Sequence, residues 1–511
     1  MLLGDLYKEQ LNRTPDKTAV IFGGRSLSYA GFDESVKLTA EALLGMDVAR
    51  GDRVALFMRN CTELLEFYFA CFRIGAIAVP LNYRYVEDEV VYAADHCSAC
   101  ILIAGGDLFE IVKGIRSRVP SVKRVFAAGG EAVDREYSWE NAAADASGRH
   151  EPPDVRDEDP AVIFYTSGST SKPKGVTHTH ASLFHLCSSR KITQGLNEND
   201  VSIAATAICH AGGSAGVAFP TLYAGGTVVI MEKPDPLLFL SCVEAYRPTR
   251  TLVLPAQLLD ILGAPKARDT DFSCFTEVHA GGDYISIELY ERFYDVTGLK
   301  LNQLYGMTEC EGICFTPPSS PVIYGSIGLP RYGLEVCLVD SEGTDARTGE
   351  AGEILVKSES VMAGYWNDEE NTSLAFTKDG WLKTGDTARR DDAGYYYFLG
   401  RIKELIIKGG SNVSPGEVEE VLDDHPQISI SGVVGVPDKH YGELIHAFVE
   451  LKPGLEKPPG ENELRAYASA RLAAYKVPDR WTFVESMPRN EIGKIDRRGL
   501  HILAGRLDAD L

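Results

Sequence analysis

From Tyr165 to Gly175 the chain reads Tyr-Thr-Ser-Gly-Ser-Thr-Ser-Lys-Pro-Lys-Gly, with five Ser/Thr hydroxyls and two lysines in eleven positions. This is the chemistry of a polyphosphate cradle. Glycine lets the backbone approach an anion, hydroxyls and amides donate hydrogen bonds, and Lys174 can place a mobile positive charge on terminal phosphates. The lysine precedes the last glycine, so the spacing is not that of a Walker loop; composition alone would also describe a Ser/Gly-rich surface turn. Glu309 closes the segment Leu304-Tyr-Gly-Met-Thr-Glu309. A carboxylate beside a polyphosphate is repulsive unless a hard cation bridges them, and Mg²⁺ prefers a few carboxylates plus phosphate oxygens. Taken alone, the same glutamate is a solvated acid after a Tyr-Gly turn. Asp386, ending Trp381-Leu-Lys-Thr-Gly-Asp386, is an acceptor-only side chain with two oxygens, suited to two hydroxyl donors at once.

Together with two further segments, these resemble, in order and separation, the motifs of the adenylate-forming superfamily. That superfamily includes acyl-CoA synthetases, peptide-synthetase adenylation domains and firefly-type luciferases. The further segments are Gly400-Arg-Ile-Lys-Glu-Leu-Ile-Ile-Lys-Gly-Gly410 and Pro488-Arg-Asn-Glu-Ile-Gly-Lys-Ile-Asp-Arg-Arg498. The match covers essentially the whole chain, with two departures in the loop: Ser169 stands where threonine is usual and Ser171 where glycine is usual. Altered loop mobility with retained activity is expected from them.

The resemblance implies an acyl-CoA synthetase that forms an acyl-AMP from ATP and a carboxylic acid and passes the acyl group to CoA, with Mg²⁺. It implies that Thr166, Ser167, Gly168, Ser169, Thr170 and Lys174 hold the phosphates. Gly281, Gly282, Gln303, Leu304, Tyr305, Gly306, Met307 and Thr308 line the nucleotide site, with Tyr305 stacked on adenine, Thr308 on phosphate and Glu309 on the metal. Asp386 takes the ribose hydroxyls and Arg401 lies near them. Lys403 is the hinge, Lys408, Gly409 and Gly410 line the path of the CoA arm, and Lys494 is the catalytic lysine beside Lys174, Thr308 and Glu309. Because Lys494 comes from the end of the chain, its role requires a small domain that closes over ATP and then rotates about Lys403 to admit the thiol.

Ile208-Cys-His-Ala-Gly-Gly-Ser-Ala-Gly216 resembles the acyl-pocket wall, with His210 as its gate and Ala211, Gly212 and Gly216 contributing little bulk. Ala280, Gly281 and Gly306 are expected to form the rest of the floor. Such a pocket suits a medium- or long-chain fatty acid, with an aromatic or alicyclic acid as the alternative. These segments carry no basic residue for a second carboxylate and no acid for an α-amine, which argues against an amino-acid substrate. An enzyme loading a carrier protein is a further alternative, and a nonenzymatic nucleotide sensor would be expected to lack Lys494 or Glu309.

The elements that must position these residues follow from the apolar pattern. Short runs such as Arg53–Met58, Ala161–Tyr165, Thr227–Ile230 and Thr251–Leu254 alternate with helical patterns, the mark of layered α/β structure. Glu63 to Gly75 is apolar around most of its circumference and predicts a buried helix stopped at Gly75. Residues 129–159 read as a polar surface connection. From about Gly325, short strands and turns predict a small barrel-like β region. After Gly400 a fresh pattern predicts a mobile α+β domain of residues 401–511, the large domain being residues 1–400.

The bulk properties bound the rest. The chain has 511 residues, 44% hydrophobic and 24% charged, enough for at least two globular domains. A net charge of −22 works against nonspecific binding to nucleic acid. The opening residues lack a secretory pattern, which with eleven scattered cysteines predicts a cytoplasmic protein with free thiols. His96-Cys97-Ser98-Ala99-Cys100 has metal-like spacing but lacks a second pair to complete four ligands, so ordinary packing is expected. The longest apolar candidate, Phe67 to Leu81, is too short for a transmembrane helix. The pattern leaves open the oligomeric state, a homodimer included, and whether Lys408, Arg471 and Lys476 meet the CoA nucleotide or water.

Overall fold

The computed structural model describes residues 2–129, 134–146, 150, 153–166, 172–282, 285, 287–318, 320–340, 343–401, 406–413, 415–455, 457–488 and 495–509. These form two compact units. The first comprises residues 1–83, 93–165 and 175–400, and the second residues 84–92, 166–174 and 401–511.

Two large sheets organise the first unit. One runs Leu329–Pro330, Cys310–Phe315, Leu301–Met307, Glu277–Gly281, Arg250–Val253, Val201–Ala204, Thr227–Ile230, Thr18–Phe22, Arg25–Ser28. Its interior pairs are parallel and its two ends antiparallel. The other sheet runs Gly364–Tyr365, Lys174–Thr179, Pro160–Thr166, Ile77–Pro80, Arg53–Phe57, Ile101–Gly105, Arg124–Ala128. Parallel strands buried on both faces need apolar residues on both sides, which is why Ile77–Pro80 and Ile101–Gly105 are buried throughout.

The helix read from the apolar run is Thr62–Ile74, and Gly75 caps it at φ 67°, a left-handed conformation that costs glycine nothing. Its ring of aromatics explains its burial. Tyr68 and Phe69 both meet Phe219 edge-on, at centroid distances of 5.3 and 5.5 Å. Residues 129–159 are not only a connection, since they contain the helix Trp139–Ala146. Trp139 is buried edge-on against Phe67 and Phe126, and that anchor orders a segment whose Ala- and Asp-rich composition reads as loop.

After Gly325 the antiparallel region forms a sheet ordered Glu335–Val339, Ala351–Lys357, Leu382–Arg390, Tyr396–Arg401. In the second unit a five-stranded sheet centres on Gly442–Leu451, which pairs with Ile428–Asp438 antiparallel and with Arg480–Val484 parallel. The helices Pro415–Asp423 and Glu461–Ser469 contribute Val418, Leu422, Leu464 and Ala468 to its core.

Candidate active site

Strands Leu301–Met307 and Cys310–Phe315 form a hairpin whose closing pair is Met307 with Cys310. Thr308 and Glu309 are therefore its two loop residues. Placed on so short a connection between two sheet strands, they are held by the ladder on both sides. The Glu309 backbone carbonyl accepts from Met362 N at 2.8 Å, and the Glu309 carboxylate Oε1 accepts from the Tyr365 hydroxyl at 2.8 Å. Burial and the charge of Glu309 raise the Tyr365 hydroxyl far above its ordinary pKa, so it remains a donor.

Beneath the tip lies His178. Its Nε2–H donates to the Thr308 carbonyl at 2.8 Å, and Nδ1 accepts from Ser182 at 3.2 Å. Full burial pushes its pKa down to about 4, so the ring is neutral at neutral pH, as this tautomer requires.

Tyr305 sits three residues before Thr308, and its hydroxyl donates to Asp386 Oδ2 at 2.7 Å. Burial, then the charge of Asp386, keeps that hydroxyl protonated. Asp386 comes from strand Leu382–Arg390 and is itself buried; its backbone N–H donates to Thr384 Oγ1. The Tyr305 ring tilts against Phe398 at 6.0 Å. The residues read as adenine- and ribose-binding are thus joined by a direct bond.

Gly306 lies within this hairpin, and Gly281 and Gly282 lie at the end of the neighbouring strand. A Cβ on Gly281 would lie 2.3 Å from the Leu304 carbonyl oxygen, and one on Gly306 2.3 Å from Gly312 N. Both positions demand glycine because strands approach there, independently of any ligand. Gly282 is at φ +84°. Gln303 is buried and accepts from the Tyr290 hydroxyl at 2.7 Å, while Leu304 and Ala280 belong to the core. Thr166 ends the strand Pro160–Thr166 and Lys174 opens Lys174–Thr179, so in sequence the two strands bracket the segment expected to hold phosphates. Ser167, Gly168, Ser169 and Thr170 lie outside the described residues, as do Lys403 and Lys494; Arg401 ends the strand Tyr396–Arg401.

The acyl segment folds as a turn followed by a π-helical stretch, Ser214–Ala218. Its wide bonds run from Gly216 N to the Ala211 carbonyl at 2.8 Å and from Ala218 N to the Gly213 carbonyl at 3.1 Å. The His210 carbonyl accepts from Ser214 N and Ser214 Oγ, so the backbone at the gate position is tied down. Gly212 faces open space.

Sequence reasoning left this wall without charge, and the fold supplies an ion pair from elsewhere. Arg190, on helix His180–Gln194 and only 2% exposed, donates through Nη1 to Glu311 Oε2. A Cβ on Gly216 would lie 2.8 Å from Glu311 Oε1 and 3.3 Å from Arg190 Nη1, so the pair packs directly on the wall. Arg190 also lies over the Phe315 ring at 4.9 Å. The only sequence signal was Glu311 itself, an acid on an otherwise apolar strand two residues past Glu309.

In the second unit, Gly409 and Gly410 are the two loop residues of a hairpin joining Ile406–Lys408 to Ser411–Val413, at φ 54° and 74°. Two successive positive φ values define the hairpin turn that glycine serves. Lys408 pairs with Asp479 at 2.6 Å. Lys476 is fully buried, with Nζ 2.9 Å from Glu89 Oε1, and Arg471 lies over Tyr467 at 3.7 Å. Each of these cations has a partner, so none is merely solvated. Cys97 is a buried thiol whose pKa burial pushes up to about 12, which disfavours the thiolate a metal would need.

With this geometry in view, the similarity to known proteins is specific. Residues 7–366 match the AMP-binding enzyme family and residues 417–494 the AMP-binding enzyme C-terminal domain. The chain belongs to this family. It is 35% identical to a feruloyl-CoA synthase from Amycolatopsis sp over 96% of this chain and 97% of that one. It is 30% identical to a long-chain-fatty-acid–CoA ligase of Bacillus subtilis (strain 168), over 98% and 94%. Among solved structures, the amide bond synthetase McbA from Marinactinospora thermotolerans superposes with a TM-score of 0.87 at 28% identity, covering 98% of this chain and 99% of that one. The chain is an AMP-forming acid–thiol ligase, an enzyme class that uses ATP and CoA. Among the described residues no helix is long and apolar enough to cross a membrane.

Proposed function

We propose that this ligase activates an aryl carboxylic acid. The observation that carries the acid class is the buried Arg190–Glu311 pair against Gly216. A wall ending in ionised groups offers a long methylene chain no gain, because an alkyl group cannot replace the hydrogen bonds that buried charges require. An aromatic acid is short enough to stop at that wall and can carry a polar substituent toward it. The similarity to the feruloyl-CoA synthase supports the same class, although relatives include a fatty-acid ligase as well.

In the first step a carboxylate oxygen attacks the α-phosphorus of ATP and pyrophosphate leaves. Tyr305 and Asp386, already bonded to each other, hold the nucleoside by its ring face and ribose hydroxyls. Lys174 and Lys494 take up negative charge on the phosphate oxygens, with Thr308 donating from the hairpin tip. Glu309 is a hard oxygen donor on a short, fixed loop and fits Mg²⁺ shared with ATP phosphates; bound there, the ion would neutralise phosphate charge. In the second step the CoA sulfur attacks the acyl carbonyl carbon and AMP departs. Gly409 and Gly410, on a hairpin without side-chain bulk, border the path of the CoA arm.

ATP–pyrophosphate exchange across aryl, alicyclic and fatty acids, followed by CoA-dependent AMP release for each active acid, tests the proposal. Exchange with aryl acids and acceleration by CoA are expected. Exchange confined to fatty acids would overturn the aryl assignment, and exchange that CoA does not accelerate would point to an amine or carrier protein as acceptor.

A further inference from the structure

Resting on that ligase reading, we infer that Arg190, held in place by Glu311, donates a hydrogen bond to an oxygen on the distal part of the acid and so sets substrate preference. The Nε of Arg190 is buried and has no hydrogen-bond partner among the described residues. A guanidinium in the interior with one donor unmet is costly, and such a donor is kept where something else fills it. A second unmet group stands on the neighbouring strand pair. Asn302 Oδ1 is also buried without a partner.

Asn302 and His279 are register partners in the parallel pair Glu277–Gly281 and Leu301–Met307. Leu304, two residues on, is the register partner of Phe315. Strand alternation therefore puts Asn302, His279 and Phe315 on one face of the sheet. Phe315 joins the cluster physically, with the Arg190 guanidinium over its ring and His279 edge-on at 5.7 Å. Burial, reinforced by the charges of Arg190, Arg250 and Lys300, pushes the His279 pKa down to about 3, so the ring adds no charge. The two unmet groups are complementary, one a donor and one an acceptor. A hydroxyl can satisfy either or both, and an ether or carbonyl oxygen can satisfy the donor.

Arg190 is matched by Glu311, and the buried Arg331, whose Nε donates to the Gly312 carbonyl at 2.8 Å and whose Nη1 is also unmet among the described residues, adds a second positive charge to the cluster. The place follows from the glycines. Arg190 Nη1 would lie 3.3 Å from a Cβ on Gly216 and 3.2 Å from one on Gly312, so the guanidinium packs on both the acyl wall and the strand leading from Glu309. A substituent reaching it must project away from the reacting carboxylate along that wall.

The test is exchange kcat/KM for cinnamic acid and for 3- and 4-hydroxycinnamic acid, with the wild type and with Arg190→Met/Glu311→Leu. The double variant removes both charges, since removing one would strand the other. The wild type is expected to favour the better hydroxycinnamic acid over cinnamic acid by about 10-fold or more, mainly through KM, because a site with an unmet donor discriminates against the ligand lacking the acceptor. In the double variant that ratio should fall to within about 2-fold. The ratio is taken within one protein, so a general loss of activity cancels. Equal kcat/KM for hydroxylated and plain acids in the wild type, or an unchanged ratio in the double variant, would each overturn the inference while leaving the ligase intact. If the double variant does not fold, Arg190→Lys decides: it keeps the charge without Nε, and a retained ratio overturns the inference. Exchange with no acid at all would remove the ligase reading itself, and the inference with it.

Discussion

The Tyr305 hydroxyl donates to Asp386 Oδ2 at 2.7 Å, joining the ring expected beneath adenine to the carboxylate expected at the ribose. The bond fixes the carboxylate from one side and leaves its function dependent on charge. Asp386→Ala should raise KM for ATP by about 10- to 100-fold, the loss of charged hydrogen bonds to two hydroxyls. Tyr305→Phe keeps the ring and should raise it only a few-fold. Initial-rate exchange at varied ATP measures both, and equal effects from the two substitutions would contradict the division of roles.

A second hydrogen bond acts at the hairpin tip, from Tyr365 to Glu309 at 2.8 Å. Tyr365→Phe removes one bond that orients the carboxylate without removing its charge. The expected result is a several-fold rise in the Mg²⁺ concentration giving half-maximal exchange, consistent with the usual effect of losing a bond that orients a metal ligand. Glu309→Gln, which weakens the ligand itself, should shift it further. Unchanged Mg²⁺ dependence in Tyr365→Phe would detach the tyrosine from metal binding.

How much of this was legible in the sequence depends on how local the cause was. The helix Thr62–Ile74 declared itself because its apolar periodicity and the stop at Gly75 are local. Tyr305, Glu309 and Asp386 were marked by dense short motifs. The bond between Tyr305 and Asp386 was not, because it joins residues 81 apart. Arg190 and Glu311, 121 residues apart, were invisible for a stronger reason: charged residues are mostly solvated, and only the packing of helix on hairpin buries this pair. Trp139 was hidden by its polar neighbours. The glycines taught the converse lesson, since Gly281 and Gly306 were read as pocket floor and each has a backbone reason to be glycine.

His178 predicts a pH dependence of stability. Its folded pKa is about 4 against an ordinary 6.5, so the unfolded chain binds the proton more readily. The contribution is complete above pH 6.5 and is lost progressively as the pH falls toward 4. Between pH 7.5 and 5.5 the wild type should lose about 1 kcal/mol more than His178→Gln, which keeps a donor and an acceptor but does not titrate. Urea unfolding at the two pH values measures the difference. Parallel losses would show that the ring does not carry this term.

The hairpin at Gly409 and Gly410 separates turn geometry from chemistry. At φ 54° and 74°, an alanine at either position is strained by about 1 kcal/mol. Gly410→Ala should therefore lower the melting temperature modestly while leaving acid-dependent exchange near the wild-type rate. If the turn borders the CoA path, AMP release driven by CoA should fall several-fold more than exchange does. Equal losses in both steps would assign these glycines to the fold alone.

Gly306 and Gly212 make the sharpest contrast, because their missing side chains face different surroundings. A Cβ on Gly306 would lie 2.3 Å from Gly312 N, a backbone atom of the facing strand, whereas one on Gly212 meets nothing within 4 Å. Gly306→Ala must push the two strands of the hairpin apart, which should cost about 3 kcal/mol, the upper end for overpacking, and displace Thr308 and Glu309 with the tip. Exchange should collapse with every acid. Gly212→Ala should keep the wild-type melting temperature, and its effect should depend on the acid: small for benzoic acid and larger for acids that extend further along the wall. A uniform loss across acids in Gly212→Ala would remove that residue from the acyl site, because only a group that meets the variable part of the substrate can tell short acids from long.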